Sequence, residues 1–161
     1  LRSFDEHLEK TAIHPFCLNP CVNAVLSVYI VKAKDAGIPV TCRVNFPEEV
    51  PKVQENLSFA LANLLENAIR ASETQDEDKR FLHINLQTRG RQVFLSVENY
   101  YAEPVSLNED GYPVTHRQGH GIGMTSVHHF IMSYKGFKNF TQKDGVVRFE
   151  IYFTLPDTPS E

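Results

Sequence analysis

At 161 residues, 42% hydrophobic and 22% charged, the chain has the ordinary balance of one soluble globular domain with a sizeable core. A formal charge of −4 leaves no basic stripe, which argues against nucleic acid as a partner. No apolar run reaches the length of a membrane span and no stretch reads as a signal peptide, so no direct membrane contact is expected of this piece.

The chain begins without Met, which predicts a fragment of a longer protein, with residues 1–16 as the end of an upstream linker or helix. Phe4, His7 and Leu8 fall in that part, and His7 is read as a surface histidine. Cys17, Cys21 and Cys42 are an odd number without framework spacing, which points to a reduced cytoplasmic setting. His14, Cys17 and Cys21 would supply three zinc-type ligands but no fourth, so they are read as packing.

A first helix is predicted over residues 18–36, begun at Asn19-Pro20 and stopped by Gly37. Val22, Val25, Leu26, Tyr29 and Ala33 make its buried side. Residues 38–46 read as a strand in which Val40, Cys42, Val44 and Phe46 alternate, and the Pro47 to Pro51 segment breaks it.

Residues 57–70 read as a helix with two faces. Leu57, Leu61, Leu64, Leu65 and Ala68 recur at helical spacing, while Asn63, Glu66, Asn67 and Arg70 fall within an arc of roughly 100° elsewhere. Two amides, a carboxylate and a guanidinium so grouped are costly to bury without partners; Asn63 and Asn67 serve either a ligand or the core as satisfied amides.

Residues 72–80 are polar and charge-rich, and a solvated loop is expected. Leu82, Ile84 and Leu86 alternate, Arg89-Gly90-Arg91 turns, and Val93, Leu95 and Val97 alternate again, which makes an antiparallel hairpin. Residues 100–118 contain Pro104, Gly111 and Pro113 and have no periodicity; a long irregular connection of this kind is expected to be a lid. It leads into Gly119-His120-Gly121-Ile122-Gly123-Met124, whose alternate glycines let backbone N–H groups approach an anion at a helix start. Met124, Val127, Ile131 and Tyr134 then align at helical intervals.

A second hairpin turns at Lys143-Asp144-Gly145, with Val147, Phe149, Ile151, Phe153 and Leu155 alternating on its return strand. Pro156 ends the domain, and residues 157–161 are a C-terminal tail. The elements suggest an α/β two-layer sandwich: a mixed, mostly antiparallel sheet covered on one face by about three helices.

At Asn63-Leu64-Leu65-Glu66-Asn67-Ala68-Ile69-Arg70 and Gly119-His120-Gly121-Ile122-Gly123-Met124-Thr125-Ser126-Val127 the chain resembles the N box and second glycine box of the GHKL (Bergerat-fold) ATPases. Within that superfamily it is most similar to the catalytic domain of sensor histidine kinases of the quorum-sensing type, whose glycine box carries a histidine where His120 stands. The resemblance covers about residues 17 to 155. It implies the Bergerat fold, an ATP-binding catalytic domain over residues 17–156, and residues 1–16 as the end of a linker or dimerisation helix. The implied cofactors are ATP and Mg, and the implied activity is transfer of the γ-phosphoryl group to a histidine on the parent's own dimerisation domain. A response regulator would be the downstream partner, and the parent would be a homodimer anchored in the bacterial inner membrane with this domain in the cytoplasm.

By the same match Asn67 is the metal ligand, Asn63 reaches the phosphates, and Arg70 stands where the family usually has a phosphate-binding Lys. Gly119, His120, Gly121, Ile122, Gly123 and Met124 wrap the nucleotide, and Arg117 and His116 either approach the terminal phosphate or remain loop charges. Val97-Glu98-Asn99-Tyr100-Tyr101 stands at the first glycine box, with Asn in the apparent Asp position and no glycine. Asn99 is assigned to adenine over Glu98 because Val97 and Asn99 share a strand face, and an amide carbonyl accepts the hydrogen bond that a carboxylate would. Hydrolytic members carry a Glu one turn before the metal Asn; Asn63 cannot take a proton, so phosphoryl transfer fits better than hydrolysis. Glu66 is expected to hold a magnesium-bound water or to orient the acceptor. Two alternatives stand beside this reading: an anti-sigma-type protein serine kinase, and a nucleotide-binding module without catalysis.

Overall fold

The computed structural model describes residues 15–114 and 122–157, residues 122 and 123 by their backbone alone. The elements are α1 (Pro20–Asp35), β1 (Val40–Asn45), α2 (Val53–Glu73), β2 (Leu82–Arg89), β3 (Gln92–Tyr100), α3 (Ile122–Ser133), β4 (Phe137–Lys143) and β5 (Val146–Thr154), with a 3-10 turn at Glu77–Lys79. Five strands form one sheet in the order β1-β2-β3-β5-β4. The β1–β2 pair is parallel and the others antiparallel, so the sheet is mixed and mostly antiparallel as expected.

The alternation of the strands gives the sheet its one apolar face. Ile84 sits beside Val97 and Leu86 beside Leu95 across β2 and β3, and Leu95 sits beside Ile151 across β3 and β5. All of these are buried, and α2 closes over them with Leu57, Leu61, Leu64, Leu65 and Ala68, every one of which is buried too. Each such aliphatic side chain contributes roughly 1.5–3 kcal/mol on removal from water.

α1 and α3 flank α2. The α1 start is set by Asn19, which is wholly buried and uses its whole amide. Its Oδ1 accepts from the Cys21 and Val22 N–H groups, satisfying two orphan donors of the first turn. Its Nδ2 donates to the Pro47 carbonyl and to Gln54 Oε1, which ties the start of α1 to that of α2. On the inner side Val22, Leu26, Ile30 and Ala33 are buried, while Val25 and Tyr29 pack at the margin; Ile30 takes a central place that the expected set lacked. α3 likewise buries Phe130 alongside Met124, Val127 and Ile131, with Tyr134 at the margin.

The segment expected as a solvated loop over residues 72–80 is built differently. α2 continues through Ser72 to Glu73, and both Ser72 and Gln75 are buried. Arg80 then donates from Nε to the Gln75 carbonyl at 2.9 Å, from Nη1 to that of Ala36 at 3.1 Å and from Nη2 to that of Glu73 at 3.0 Å. Ala36 and Glu73 lie at the C-terminal ends of α1 and α2, where carbonyls lack helical partners and the dipole favours a cation. One guanidinium therefore caps two helices.

Gly145 joins β4 to β5 at φ +77°, and a Cβ there would collide with the Tyr100 ring. Its carbonyl accepts from the Tyr101 N–H at 2.8 Å, which presses the hairpin turn against the end of β3. The Pro156 end is fastened as well: Arg91 Nε donates to the Leu155 carbonyl, and the same side chain pairs with Asp157, the first residue of the expected tail.

Cys17, Cys21 and Cys42 are free thiols of intermediate burial. Burial, with the Cys17 thiol second, pushes Cys42 up to about 11, and burial raises Cys17 as well. Among the described residues no group of three or more His, Cys, Asp and Glu is placed to hold a metal; His14 lies outside them.

Replacing the double cap, Arg80→Ala, is expected to lower stability by about 1.5–3 kcal/mol, the range for hydrogen bonds to a charged group. The readout is the urea midpoint at unchanged slope. A midpoint equal to that of the unaltered chain would mean that water serves those carbonyls equally well.

Candidate functional site

The four polar residues of α2 share a face but meet different neighbours. Asn63 Nδ2 donates to Ser126 Oγ of α3 at 2.8 Å. Two turns earlier Asn56 Nδ2 donates to the Tyr134 hydroxyl at 2.9 Å, so the two antiparallel helices are tied at both ends of their contact. Glu66 points the other way, to α1: Lys32 Nζ lies 2.6 Å from Oε2, and Arg70 Nε donates to Oε1 at 2.9 Å. Partial burial pushes the Glu66 carboxyl up, but the Lys32 hydrogen bond and charge, with Arg70 behind them, outweigh it and hold the group below the ordinary carboxylate range.

Asn67 and Arg70 border a half-open cavity of about 330 Å³, within the usual range of roughly 300–1,000 Å³ for small-molecule sites. The sheet supplies Val97, Val147, Phe149 and Phe140 to it, α2 supplies Leu64 and Ala68, and α3 supplies Met124. Asn99 reaches the same space from the end of β3 and is buried. Its Nδ2 donates to the Tyr100 carbonyl at 3.2 Å. Glu98 faces away: it pairs with Arg148 Nε at 2.6 Å and lies 3.8 Å from His83 on the other side of the sheet. Asn63 and Glu66 do not line the cavity.

The expected lid has internal order over its described part. Leu107 and Pro113 form an isolated bridge, and within it Asn108 Oδ1 accepts from the N–H groups of Asp110 and Tyr112. This small turn delivers Tyr112 into the core, where its ring stacks on Phe149 at 6.1 Å and meets His128 edge-on at 5.2 Å. The Tyr112 hydroxyl and His128 Nδ1 share a 3.0 Å hydrogen bond, and Lys138 Nζ sits 4.6 Å above the ring. Burial and then the Asp110 carboxylate push the phenol up, which keeps it protonated. The irregular segment is thereby tied to α3 and to the far strands.

His116, Arg117, Gly119, His120 and Gly121 lie outside the described residues; Ile122 and Gly123 begin α3. The structure thus brings Asn67, Arg70, Asn99 and Met124 to one cavity and engages Asn63 and Glu66 with neighbouring helices. Ser126, Lys32, Tyr112, His128, Gln75 and Gln142 hold this arrangement without having stood out in the sequence. Only Tyr112, an aromatic between two turn residues of a polar stretch, carried a signal that could have marked it.

Residues 54–154 match a family model described as the GHKL domain. No curated protein sequence matches the chain. Among solved structures the chain is similar to the catalytic domain of histidine kinase ThkA, with TM-score 0.65 and 18% identity over 86% of this chain and 92% of that one. It is also similar to histidine kinase AdeS of Acinetobacter baumannii, with TM-score 0.61 and 18% identity over 89% and 68% of the two chains. The mycobacterial sensor histidine kinase MprB gives TM-score 0.59 and 15% identity over 81% and 93%. At these identities the likeness is one of fold.

A carboxyl depressed in the folded state stabilises fully above the ordinary Glu range near 4.5, and the contribution is lost as pH falls through the lower folded value. A double-mutant cycle of Lys32→Met and Glu66→Gln, read by urea unfolding, should give a coupling of about 0.2–1 kcal/mol at neutral pH that fades in acid as Glu66 takes up its proton. A coupling that persists undiminished in acid would contradict the ion pair.

Proposed function

Because the chain belongs to the GHKL domain family, we propose that it is the Mg-ATP-binding catalytic domain of a sensor histidine kinase, one that passes the γ-phosphoryl group to a histidine on a dimerisation domain outside this chain. The observation that carries this reading is a single cavity bordered by Asn67 and Arg70 of α2, Asn99 of β3 and Met124 of α3. The donor set fits the ligand. An apolar slot between Val97, Val147 and Phe149 suits a purine ring, and Asn99 Oδ1 is an acceptor for its exocyclic amino group. The Asn67 amide oxygen is the hard type of ligand that magnesium takes sparingly, keeping water and phosphate for its other positions. Arg70 carries a guanidinium suited to phosphate oxygens, and Gly119, His120, Gly121 and Gly123 are assigned to the phosphates through their main-chain N–H groups. Magnesium, when bound, supplies charge neutralisation across the phosphates.

Transfer is favoured over hydrolysis by what stands on α2. One turn before Asn67 the side chain is an amide, Asn63, already donating to Ser126, and it offers water no base. The Glu66 carboxylate is engaged by Lys32 and Arg70, which lowers its basicity; it braces Arg70 and orients the acceptor only through that residue. In the reaction a nitrogen of the acceptor imidazole bonds to the γ-phosphorus, the bond to the bridging oxygen breaks, and ADP leaves with that oxygen. Positioning and charge neutralisation supply most of such catalysis. Asn99 in place of an acid, together with His120 among the glycines, supports the quorum-sensing type. On that reading the parent is a membrane-anchored homodimer that phosphorylates a response regulator.

Labelled ATP, magnesium and the parent's dimerisation domain mixed with this chain should yield an acid-labile phosphohistidine. An acid-stable product would instead indicate a serine kinase, and nucleotide binding without any product would indicate a binding module. Asn67→Ala should weaken magnesium-dependent ATP binding by about tenfold or more in calorimetry, the effect of losing one interaction with a charged group. Unchanged affinity would remove Asn67 from the metal site.

A further inference from the structure

One wall of the cavity is the irregular segment of residues 101–106, which contributes Tyr101, Pro104, Val105 and Ser106. It adds to no strand, yet its backbone polar groups need partners as any others do. The Tyr101 N–H reaches the Gly145 carbonyl and the Ser106 carbonyl accepts from the Val114 N–H, while two glutamine side chains from distant parts of the chain serve the groups between. Gln142 of β4 accepts from the Val105 N–H through Oε1 at 3.0 Å, and its Nε2 donates to the carbonyls of Tyr101 at 3.1 Å and Glu103 at 2.8 Å. Gln75, buried just beyond α2, accepts from the Ala102 N–H through Oε1 at 3.0 Å, and its Nε2 donates to Glu103 Oε2 at 3.3 Å and to Thr74 Oγ1 at 2.9 Å. Pro104 has no N–H to satisfy. Between its two backbone-bonded ends the wall therefore takes its shape from two amides, each using donor and acceptor at once.

We infer that Gln142 and Gln75 are positioning residues for the bound base, holding the wall at the spacing from Asn99 and Val97 that a purine ring requires. The inference rests on the nucleotide reading above and adds the residues that set base affinity. Neither glutamine lines the cavity itself, so each acts through the backbone it fastens. The chemistry is specific to the amide. Gln142→Glu keeps the acceptor for Val105 but loses both donors and places a negative charge beside two carbonyl oxygens.

The test uses the whole 161-residue chain and displacement of a fluorescent ATP analogue by adenosine, ADP and magnesium tripolyphosphate. Gln142→Glu and Gln75→Ala should each weaken adenosine and ADP by about tenfold while tripolyphosphate competes as it does against the unaltered chain. A generally loosened fold would weaken all three probes together, and that outcome overturns the inference. If the unaltered chain binds ATP and both variants bind adenosine undiminished, the inference alone falls. If the unaltered chain binds no ATP, the nucleotide reading falls and this inference with it.

Discussion

The burial of one stripe of α2 against the sheet governs everything else in this molecule. Leu57, Leu61 and Leu65 are wholly buried there, so the helix cannot turn about its axis without exposing leucine and burying amide. One residue of rotation, about 100°, would cost roughly 1.5–3 kcal/mol for each aliphatic side chain returned to water and about 1–3 kcal/mol for each amide buried unpaired. With the rotation set, the opposite face can only divide among the neighbours on either side. Glu66 meets α1 and Arg70, Asn63 meets α3, and Asn67 and Arg70 border the cavity.

That division has a chemical consequence. A face holding two amides, an acid and a base would be ambiguous in solution, since any of them could serve a nucleotide. The tertiary contacts separate the roles. Ser126 occupies the Asn63 donor and Lys32 neutralises Glu66, and both are residues of flanking helices whose own positions follow from the packing of α2. What reaches the cavity is an amide oxygen and a guanidinium, groups that bind phosphate and a hard cation but do not abstract protons.

Backbone outside the helices and strands is held largely by side chains. Asn19 joins two helix starts, Arg80 caps two helix ends, Asn108 folds the turn between Leu107 and Pro113, and Gln75 and Gln142 fasten the cavity wall. Such joints suit a binding site. The wall is shaped by few bonds, each of modest net strength, so it can be fixed in form without the rigidity of a ladder.

Periodicity is local, and for that reason the elements were legible from residues alone: alternation marked β2, β3 and β5, and helical spacing marked α1, α2 and the inner side of α3. The assignment of Asn99 over Glu98 came from the same source, because neighbours on a strand must point to opposite faces. Where sequence and structure parted, the partner was remote. Nothing near Arg80 announced that it would meet the end of α1, and the charged stretch around it carries the same signal whether solvated or anchored. Ile30 and Phe130 are central rather than peripheral because of what packs over them, which no single helix records. The amino-acid sequence by itself determined which face of each element would be apolar and which polar. Only the tertiary structure decided which neighbour each polar group would meet, because an amide or a guanidinium is indifferent to its acceptor until packing brings one within about 3 Å.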